Sequence, residues 1–289
     1  MKKIAVIGSL STDFVVTTNI IPEQGETVVG KEFATFYGGK GANQAIATSR
    51  SGIETYMVGA VGDDNFGENL LSNLIHNHID TSMVKVVKDM SSGVAIIQVH
   101  QGDNRIVIVE GSNGKNEIAD IDNHSDLLKE MDLFVIQNEI PVEVIEYVIE
   151  FAHQAGIPTL YNPAPIKAIN PELLNKVSYI TPNEHEFEAL FTNQSLEEAL
   201  AMHPNKLVVT LGSKGAVYHD GKQVVLVEQE PVDNVVDTTG AGDTFNGYFA
   251  SGILKGLSIE EAIKLGNRAA GLAIQKKGAQ NGIPKIDEV

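Results

Sequence analysis

Short apolar runs alternate with longer amphipathic stretches along most of the chain. Runs of this length are typical of buried strands, and stretches with apolar residues every three or four positions are typical of helices that cover a sheet. The alternation predicts a three-layer α/β/α fold with a mostly parallel sheet, whose ligands lie beyond the carboxyl ends of its strands. The predicted strands are Ile4–Ile7, Tyr56–Val61, Leu133–Ile136, Thr159–Tyr161, Tyr179–Ile180 and Leu207–Leu211.

Start and stop signals flank several amphipathic stretches. The apolar stripe of Val144–Ala152 is closed by Gly156, which is a common helix terminator. Ser258 and Glu261 form a capping box for a helix that we expect to end near Gly278. Two further helices are predicted over Ala42–Arg50 and Phe245–Ile253.

Two pairs of β-rich segments interrupt the alternation and predict one small separate sheet. They are Phe14–Thr18 with Thr27–Phe36, and Gly93–His100 with Arg105–Glu110 across the turn Gln101–Asn104. The last strand is apolar at consecutive positions, so both of its faces need cover. A lid over a site, or a sheet shared between two subunits, would provide that cover. We therefore expect a core formed by residues 1–9, 37–90 and 113–289, and a β-sheet lid formed by residues 10–36 and 91–112.

Composition and charge narrow the classes of function. The chain has 289 residues, 43% of them hydrophobic and 20% charged, which suffices for a full α/β core. A net charge of −17 argues against nucleic-acid binding, because no basic stripe is present to displace counterions. The chain has no cysteine, which excludes a thiol nucleophile and a zinc–thiolate site. No apolar run reaches bilayer-spanning length and the amino terminus lacks a signal peptide pattern, so we expect a cytoplasmic enzyme without a membrane partner.

The segment Asp237–Gly247 carries the strongest chemical signal in the chain. A glycine-rich turn that leads into a helix presents main-chain N–H groups at the positive end of the helix dipole, and this geometry holds phosphate or another developing anion. Asp243 in the same turn would repel a stored phosphate. The carboxylate is better explained as a base that takes a proton from a hydroxyl that then attacks phosphorus.

The segment Gly38–Ala45 carries the second signal, with three glycines, Lys40 and Asn43 at a predicted helix start. It is not a Walker A loop, because Gly41 stands where a serine or threonine should follow the lysine. Neither glycine cluster has the spacing of the dinucleotide-binding fingerprint. The alternative interpretation is a tight glycine turn with a solvated lysine.

Carboxylates after predicted strands are weaker candidates. The acids of Asn183–Glu186 could orient magnesium-bound water, or could only favour a helix dipole. Glu139 could be a site residue or a solvated rim residue, and Asp13 could accept sugar hydroxyls or form a turn. His76 and His78 lack the spacing of a zinc pair.

Taken together, these motifs resemble the ribokinase-like (PfkB) carbohydrate kinase family nearly from end to end. Both glycine motifs match, and together they are highly specific for that family. Further matching segments are Gly8–Asp13, Gly25–Thr27, Asn162–Pro165, Thr181–Glu184 and Lys277–Gln280.

The resemblance implies a role for each matching residue. Asp243 would be the catalytic base, next to an anion hole formed by the amides of Gly240, Ala241 and Gly242. The sugar would be held by Ser11, Thr12, Asp13, Gly39, Lys40, Gly41, Ala42, Asn43, Glu139 and Asp243. ATP would contact Asn183, Thr210, Leu211, Gly212, Ser213, Lys214, Gly215, Gly242, Asp243 and Asn267.

The resemblance also implies two metal ions and a homodimer. Glu186 would act on Mg²⁺ through water, and the lid would pair with that of a second subunit. A monovalent cation, usually K⁺ in the family, would be held mostly by main-chain oxygens of Asp237, Thr239, Ala273, Lys276, Gly278 and Gly282, with the Asp237 carboxylate adding charge.

The implied reaction is ATP-dependent phosphorylation of the primary hydroxyl of a small sugar. Ribose is the first candidate, ahead of deoxyribose, another pentose, fructose or a nucleoside. Ser11 replaces an asparagine that many members use to touch the sugar, which weakens the substrate assignment. Asn281–Gly282 departs from the usual ending of the cation loop, and the stretch between Phe191 and Leu207 is short. The rival functions are a non-catalytic sugar sensor and a Rossmann-type oxidoreductase.

Overall fold

The computed structural model describes residues 2–101 and 103–289. Its centre is a six-stranded sheet in the order β10-β9-β8-β1-β4-β5, in which all neighbouring strands run parallel. This confirms the predicted mostly parallel sheet. The strands are β1 (Lys3–Ile7), β4 (Glu54–Gly62), β5 (Ile79–Val87), β8 (Leu133–Ile136), β9 (Thr159–Tyr161) and β10 (Tyr179–Ile180).

A three-stranded antiparallel sheet continues from the β10 edge. It contains β11 (Val208–Thr210), β12 (Ala216–His219) and β13 (Val224–Val227). Isolated parallel bridges from Ile180 to Leu207 and from Asn183 to Thr210 join the two sheets. The carboxyl ends of β10 and β11 therefore lie side by side.

Helices cover both faces of the central sheet, as the three-layer prediction requires. Alternate residues of β1 pack into different cores: Ile4 and Val6 on one face, Ala5 and Ile7 on the other. The first face carries α1 (Lys40–Arg50), α2 (Asn65–His76), α8 (Ala241–Leu254) and α9 (Ile259–Ala273). The second carries α3 (Ile118–Asp122), α4 (Ser125–Leu128), α5 (Val142–Ala155), α6 (Glu184–Leu190) and α7 (Leu196–Met202).

A separate four-stranded sheet, which we call the lid, has the order β3-β2-β6-β7. Its strands are β2 (Ser11–Thr17), β3 (Glu32–Gly38), β6 (Gly93–His100) and β7 (Asp103–Val109). The lid is thus built from two separate parts of the sequence, as its β-rich segments predicted. Gly102 of the predicted turn lies outside the described residues.

Some of the predicted elements differ from the structure. Residues 27–31 are not part of β3, and they are mostly exposed, so no packing holds them in a strand. Helix α9 ends at Ala273 rather than near Gly278, because the next carbonyl, of Ile274, accepts the N–H groups of Val236 and Asp237. Strand β5 was missed because its burial alternates, which leaves no continuous apolar run. Among the helices that the structure describes, none has the length and apolarity needed to cross a bilayer.

Candidate active site

The two glycine motifs meet at one buried carboxylate. Asp243, in the first turn of α8, is only 6% exposed. Its Oδ2 accepts a hydrogen bond of 2.8 Å from Asn43 Nδ2, and its Oδ1 accepts one of 2.9 Å from Gln44 Nε2. Both donors lie in the first turns of α1, so the amino ends of the two helices converge here.

The start of α8 provides free main-chain donors beside this carboxylate. Gly240 caps the helix in the left-handed conformation, with φ of 79°. The Ala241 amide donates to Thr238 O at 3.2 Å, so it is already used within the turn. Among the described residues, the amides of Gly240 and Gly242 have no hydrogen-bond partner. Of the three predicted anion-hole donors, only these two are available.

A cavity of about 330 Å³ lies between the lid and the core at this point. Most of the predicted sugar-binding residues face it: Ser11, Asp13, Gly39, Lys40, Asn43, Glu139 and Asp243. Thr12, Gly41 and Ala42 do not line it. In β2 the side chains alternate, so Thr12 faces away from Ser11 and Asp13. A Cβ on Gly41 would lie 2.5 Å from Ser9 N, which shows that this glycine allows α1 to pack on the loop after β1.

The cavity is strongly charged. Lys40 lies close to three carboxylates, and the negative charges of Asp243, Glu139 and Glu186 raise its pKa although burial opposes this. Glu139 accepts hydrogen bonds from Ser9 Oγ at 2.5 Å and from Lys40 N at 2.9 Å. Burial raises the pKa of Asp13 to about 6, and the negative charges of Glu139 and Asp243 contribute to this rise. A hydrogen bond from Ser11 acts in the opposite direction and lowers the pKa.

Replacing Asp13 by asparagine should stabilise the protein at neutral pH. The folded-state pKa of Asp13 lies above its unfolded value, so wild-type stability falls as pH rises from about 4 through about 6. Ionisation of the buried Asp13 side chain therefore lowers the free energy of unfolding by about 3 kcal/mol, and Asp13→Asn removes this loss. Urea unfolding should show equal stabilities near pH 4 and a more stable variant at pH 7.5. The exposed Asp126, changed to asparagine, is the control. A stability difference that is the same at every pH would contradict the prediction.

A second cavity, of about 230 Å³, adjoins the first and shares Lys40, Gly240 and Asp243 with it. It is lined by the predicted ATP residues Asn183, Thr210 and Gly242, together with Glu186. Glu186 closes a capping box with Asn183, in which each side chain accepts the other residue's N–H at 2.8 Å. The carboxylate therefore caps α6, as one of the two alternatives predicted, and it also faces the cavity.

The remaining predicted ATP residues lie outside this cavity. Leu211, Gly212, Ser213, Lys214 and Gly215 form the turn between β11 and β12. Asn267 is buried in α9, and its Nδ2 donates to Val227 O at 3.0 Å.

The predicted cation residues occupy two adjoining segments. Asp237 accepts the N–H groups of Thr239 at 2.9 Å and Gly278 at 2.8 Å, which hold its pKa below the usual value although burial opposes this. Gly282 packs against Ala273, since a Cβ at that position would lie 1.9 Å from Ala273 O. Lys276 lies in the loop between these two residues. Main-chain oxygens and a carboxylate are the donors that a hard cation prefers, so these residues fit such an ion.

Several polar residues at or near the two cavities were given no role from the sequence, although Asn138 and Asn162 were candidates by their position at the ends of predicted strands. Gln44 is inside a recognised motif, but its contact with Asp243 has no sequence signal. Lys167, Asn113 and Asn138 line the first cavity, and Asn162, Thr181, Thr238 and Asn246 line the second.

The two adjoining cavities, a buried carboxylate and free helix-start amides are the parts that transfer of a phosphoryl group to a hydroxyl requires. These features are typical of a kinase for small polyhydroxy compounds. The chain belongs to the pfkB carbohydrate kinase family, because the model for "pfkB family carbohydrate kinase" matches residues 1–286. The predicted family and enzyme class are thereby confirmed.

Two similar proteins and one similar solved structure are ribokinases. The ribokinase of Lactococcus lactis is 46% identical over 100% of this chain and 96% of that protein. The ribokinase of Bacillus subtilis is 44% identical over 100% of this chain and 98% of that protein. A structure of Arabidopsis thaliana ribokinase complexed with ribose and ATP is 30% identical, covers 99% of this chain and 97% of that chain, and has a TM-score of 0.91.

Proposed function

We propose that this protein transfers the γ-phosphoryl group of ATP to the primary 5-hydroxyl of D-ribose, giving D-ribose 5-phosphate and ADP. The observation that carries the proposal is the position of Asp243, whose buried carboxylate borders both cavities. The similarity to ribokinases over the whole chain supports ribose as the acceptor.

In the proposed mechanism, Asp243 takes the proton of the sugar hydroxyl as the hydroxyl oxygen attacks the γ-phosphorus and the bond to ADP breaks. The Gly240 and Gly242 amides and the Lys40 ammonium stabilise charge on the transferring group. Asp13 and Asn43 form hydrogen bonds with the other sugar hydroxyls. The lid excludes water, which would otherwise compete with the sugar for ATP.

Two cations complete the proposal. Mg²⁺ would be held by ATP and by water bound to Glu186, and K⁺ by the segments of Asp237–Thr239 and Ala273–Gly282. When bound, Mg²⁺ neutralises phosphate charge and K⁺ adds positive charge near the start of α8. Within the described residues no cluster of three or more His, Cys, Asp or Glu side chains could hold a metal ion, which agrees with a Mg²⁺ that keeps most of its water.

An ADP-release screen tests the reaction and its substrate. The purified protein is assayed with ribose, deoxyribose, other pentoses, fructose and nucleosides, with Mg²⁺, and with or without K⁺. We expect the highest kcat/KM with ribose and a higher rate with K⁺. A preference for another of these acceptors would make the protein a kinase of the same family with a different substrate, and no ADP release with any of them would support a sugar sensor.

We also propose that the lid mediates a homodimer. Strand β7 is an edge strand, and the consecutive apolar residues Ile106–Val109 are all about half exposed or more. Ile106, Ile108 and Val109 line the first cavity, whereas Val107 does not, and strand alternation places the Val107 side chain on the opposite face of the lid from Ile106 and Ile108. An exposed apolar edge strand that nothing covers is prone to pair with another chain.

A charge at Val107 should therefore dissociate the dimer. Sedimentation at micromolar concentrations should give a dimer for the wild-type protein and a monomer for Val107→Asp. Val224→Asp is the matched control, because Val224 is an exposed valine on β13, an edge strand of another sheet. A monomeric wild-type protein, or a Val107→Asp variant that remains dimeric, would exclude this interface.

A further inference from the structure

We propose that Gln44 is a positioning residue for the Asp243 carboxylate, and that a chain of buried amides fixes its orientation. The role rests on the proposed phosphoryl transfer and adds to it a residue that touches the base without touching the sugar. Gln44 is fully buried in α1, and it does not line either cavity. Its side chain nevertheless contacts the Asp243 oxygen that Asn43 leaves free.

An ionised carboxylate can only accept hydrogen bonds, so the Gln44 amide must turn its NH₂ group toward Asp243. Two neighbours enforce this orientation. Gln137 Nε2 donates to Gln44 Oε1 at 2.7 Å, so an exchange of the oxygen and nitrogen of Gln44 would also lose this bond. The second N–H of Gln44 donates to Asn162 Oδ1 at 3.0 Å. Asn162 is itself fixed, because its Nδ2 donates to Thr181 O at 2.8 Å.

The other oxygen of Asp243, Oδ2, is held in a similar way. Asn43 donates to Asp243 Oδ2, and the orientation of Asn43 is set by Gln280, whose Nε2 donates to Asn43 Oδ1 at 2.9 Å. Asn43 also lines the sugar cavity, so it would serve both the sugar and the base. Gln44 serves the base alone. This difference makes Gln44 the position at which orientation of the base can be tested apart from sugar binding.

Loss of the Gln44 donor should have two effects. The Asp243 side chain gains rotational freedom, so fewer enzyme–sugar complexes have the carboxylate aligned with the hydroxyl. The ionised carboxylate also loses a hydrogen bond that favours its charged form. Other charged groups around Asp243 are Lys40 from α1, Asp13 from β2, Glu139 after β8 and Glu186 from α6, and the substitution leaves all of them in place.

The test compares Gln44→Met, which keeps the length of the side chain and removes its hydrogen bonds, with wild type. We expect kcat to fall about tenfold to a hundredfold, the size expected for one hydrogen bond to a charged group, while the KM for ribose stays within about twofold. The acid limb of the pH–kcat profile should move to higher pH, because the charged form of the base has lost a hydrogen-bond donor. Thr48→Val is the control, since Thr48 is equally buried one turn later in α1 and its Oγ1 donates only to Gln44 O.

A second variant tests the proposal if Gln44→Met does not fold. Gln137→Met leaves Gln44 in place and removes only the donor to its Oε1, so the Gln44 amide is held less firmly and kcat should fall in the same direction and by less. If either folded variant has a wild-type kcat and acid limb, or if Thr48→Val shows the same losses as Gln44→Met, the positioning role is wrong. A wild-type protein that releases no ADP with any sugar would instead refute the proposed function, which keeps the two failures distinct.

Discussion

Asp243→Asn should lose most turnover and keep sugar binding. Removing a general base typically costs about 10²–10⁴ in rate, and Lys40 and Gly240, which also line both cavities, offer no carboxylate to replace it. The substitution also has a structural consequence. Asn43 and Gln44 both donate to this side chain, and an asparagine offers them only one acceptor oxygen, so one donor loses its partner. We expect a modest loss of stability beside the large loss of kcat.

The measurement is kcat from ADP release, together with ribose affinity from calorimetry. Glu261→Gln is the matched control, because Glu261 occupies the same position in the first turn of α9 as Asp243 does in α8, away from both cavities. The control should lose a little stability with its capping box and keep its turnover. Turnover near the wild-type value in Asp243→Asn would falsify the assignment of the base.

Gly240→Ala should give the second large effect. Gly240 has positive φ, which an alanine adopts at a cost of about 1–2 kcal/mol. Its Cβ would also lie 2.7 Å from Ala279 O and 2.9 Å from Ala279 Cα, so main chain must move on one side or the other. That movement would displace the free amides at the start of α8. Loss of such donors costs about 10²–10³ in kcat.

Gly256→Ala separates the cost of the backbone conformation from the effect of displacing the amides. Gly256 has φ of 80°, close to the 79° of Gly240, and a Cβ there would meet nothing within 4 Å. Both variants should lose similar stability from the backbone conformation, but only Gly240→Ala should lose kcat when both are assayed well below their unfolding temperatures. Equal kcat values in the two folded variants would show that the start of α8 does not take part in catalysis.

The central strands and the two glycine motifs could be predicted because their signals are local. Leu133–Ile136 and Thr159–Tyr161 are strands with the predicted bounds, since a continuous apolar run identifies a strand buried on both faces. Strand β5 lacks such a run and was missed. The end of α9 was also misplaced, because hydrogen bonds from Val236 and Asp237, far away in the sequence, determine it.

The candidate site likewise contains some residues that the sequence reveals and others that it does not. Asp243 and Lys40 are prominent in the sequence because a carboxylate and a lysine are unusual within glycine-rich turns. Gln44 is not prominent, since a glutamine within a helix is ordinary in any soluble protein, and Gln137 was a candidate only by its position after a predicted strand. The use of the Ala241 amide by Thr238 O is equally invisible in the sequence.

The sequence by itself determined the α/β class, and it marked the two glycine-rich helix starts and the carboxylate that we propose as the base. These properties depend on periodicity, on glycine and on the chemistry of single side chains, which are the same wherever the residue lies. Only the tertiary structure decided which groups meet at Asp243, which main-chain amides remain free, and that the side-chain nitrogens of Asn43 and Gln44 face the carboxylate. Such choices arise because a buried polar group must find a partner, and its partner is whichever residue the fold brings within about 3 Å.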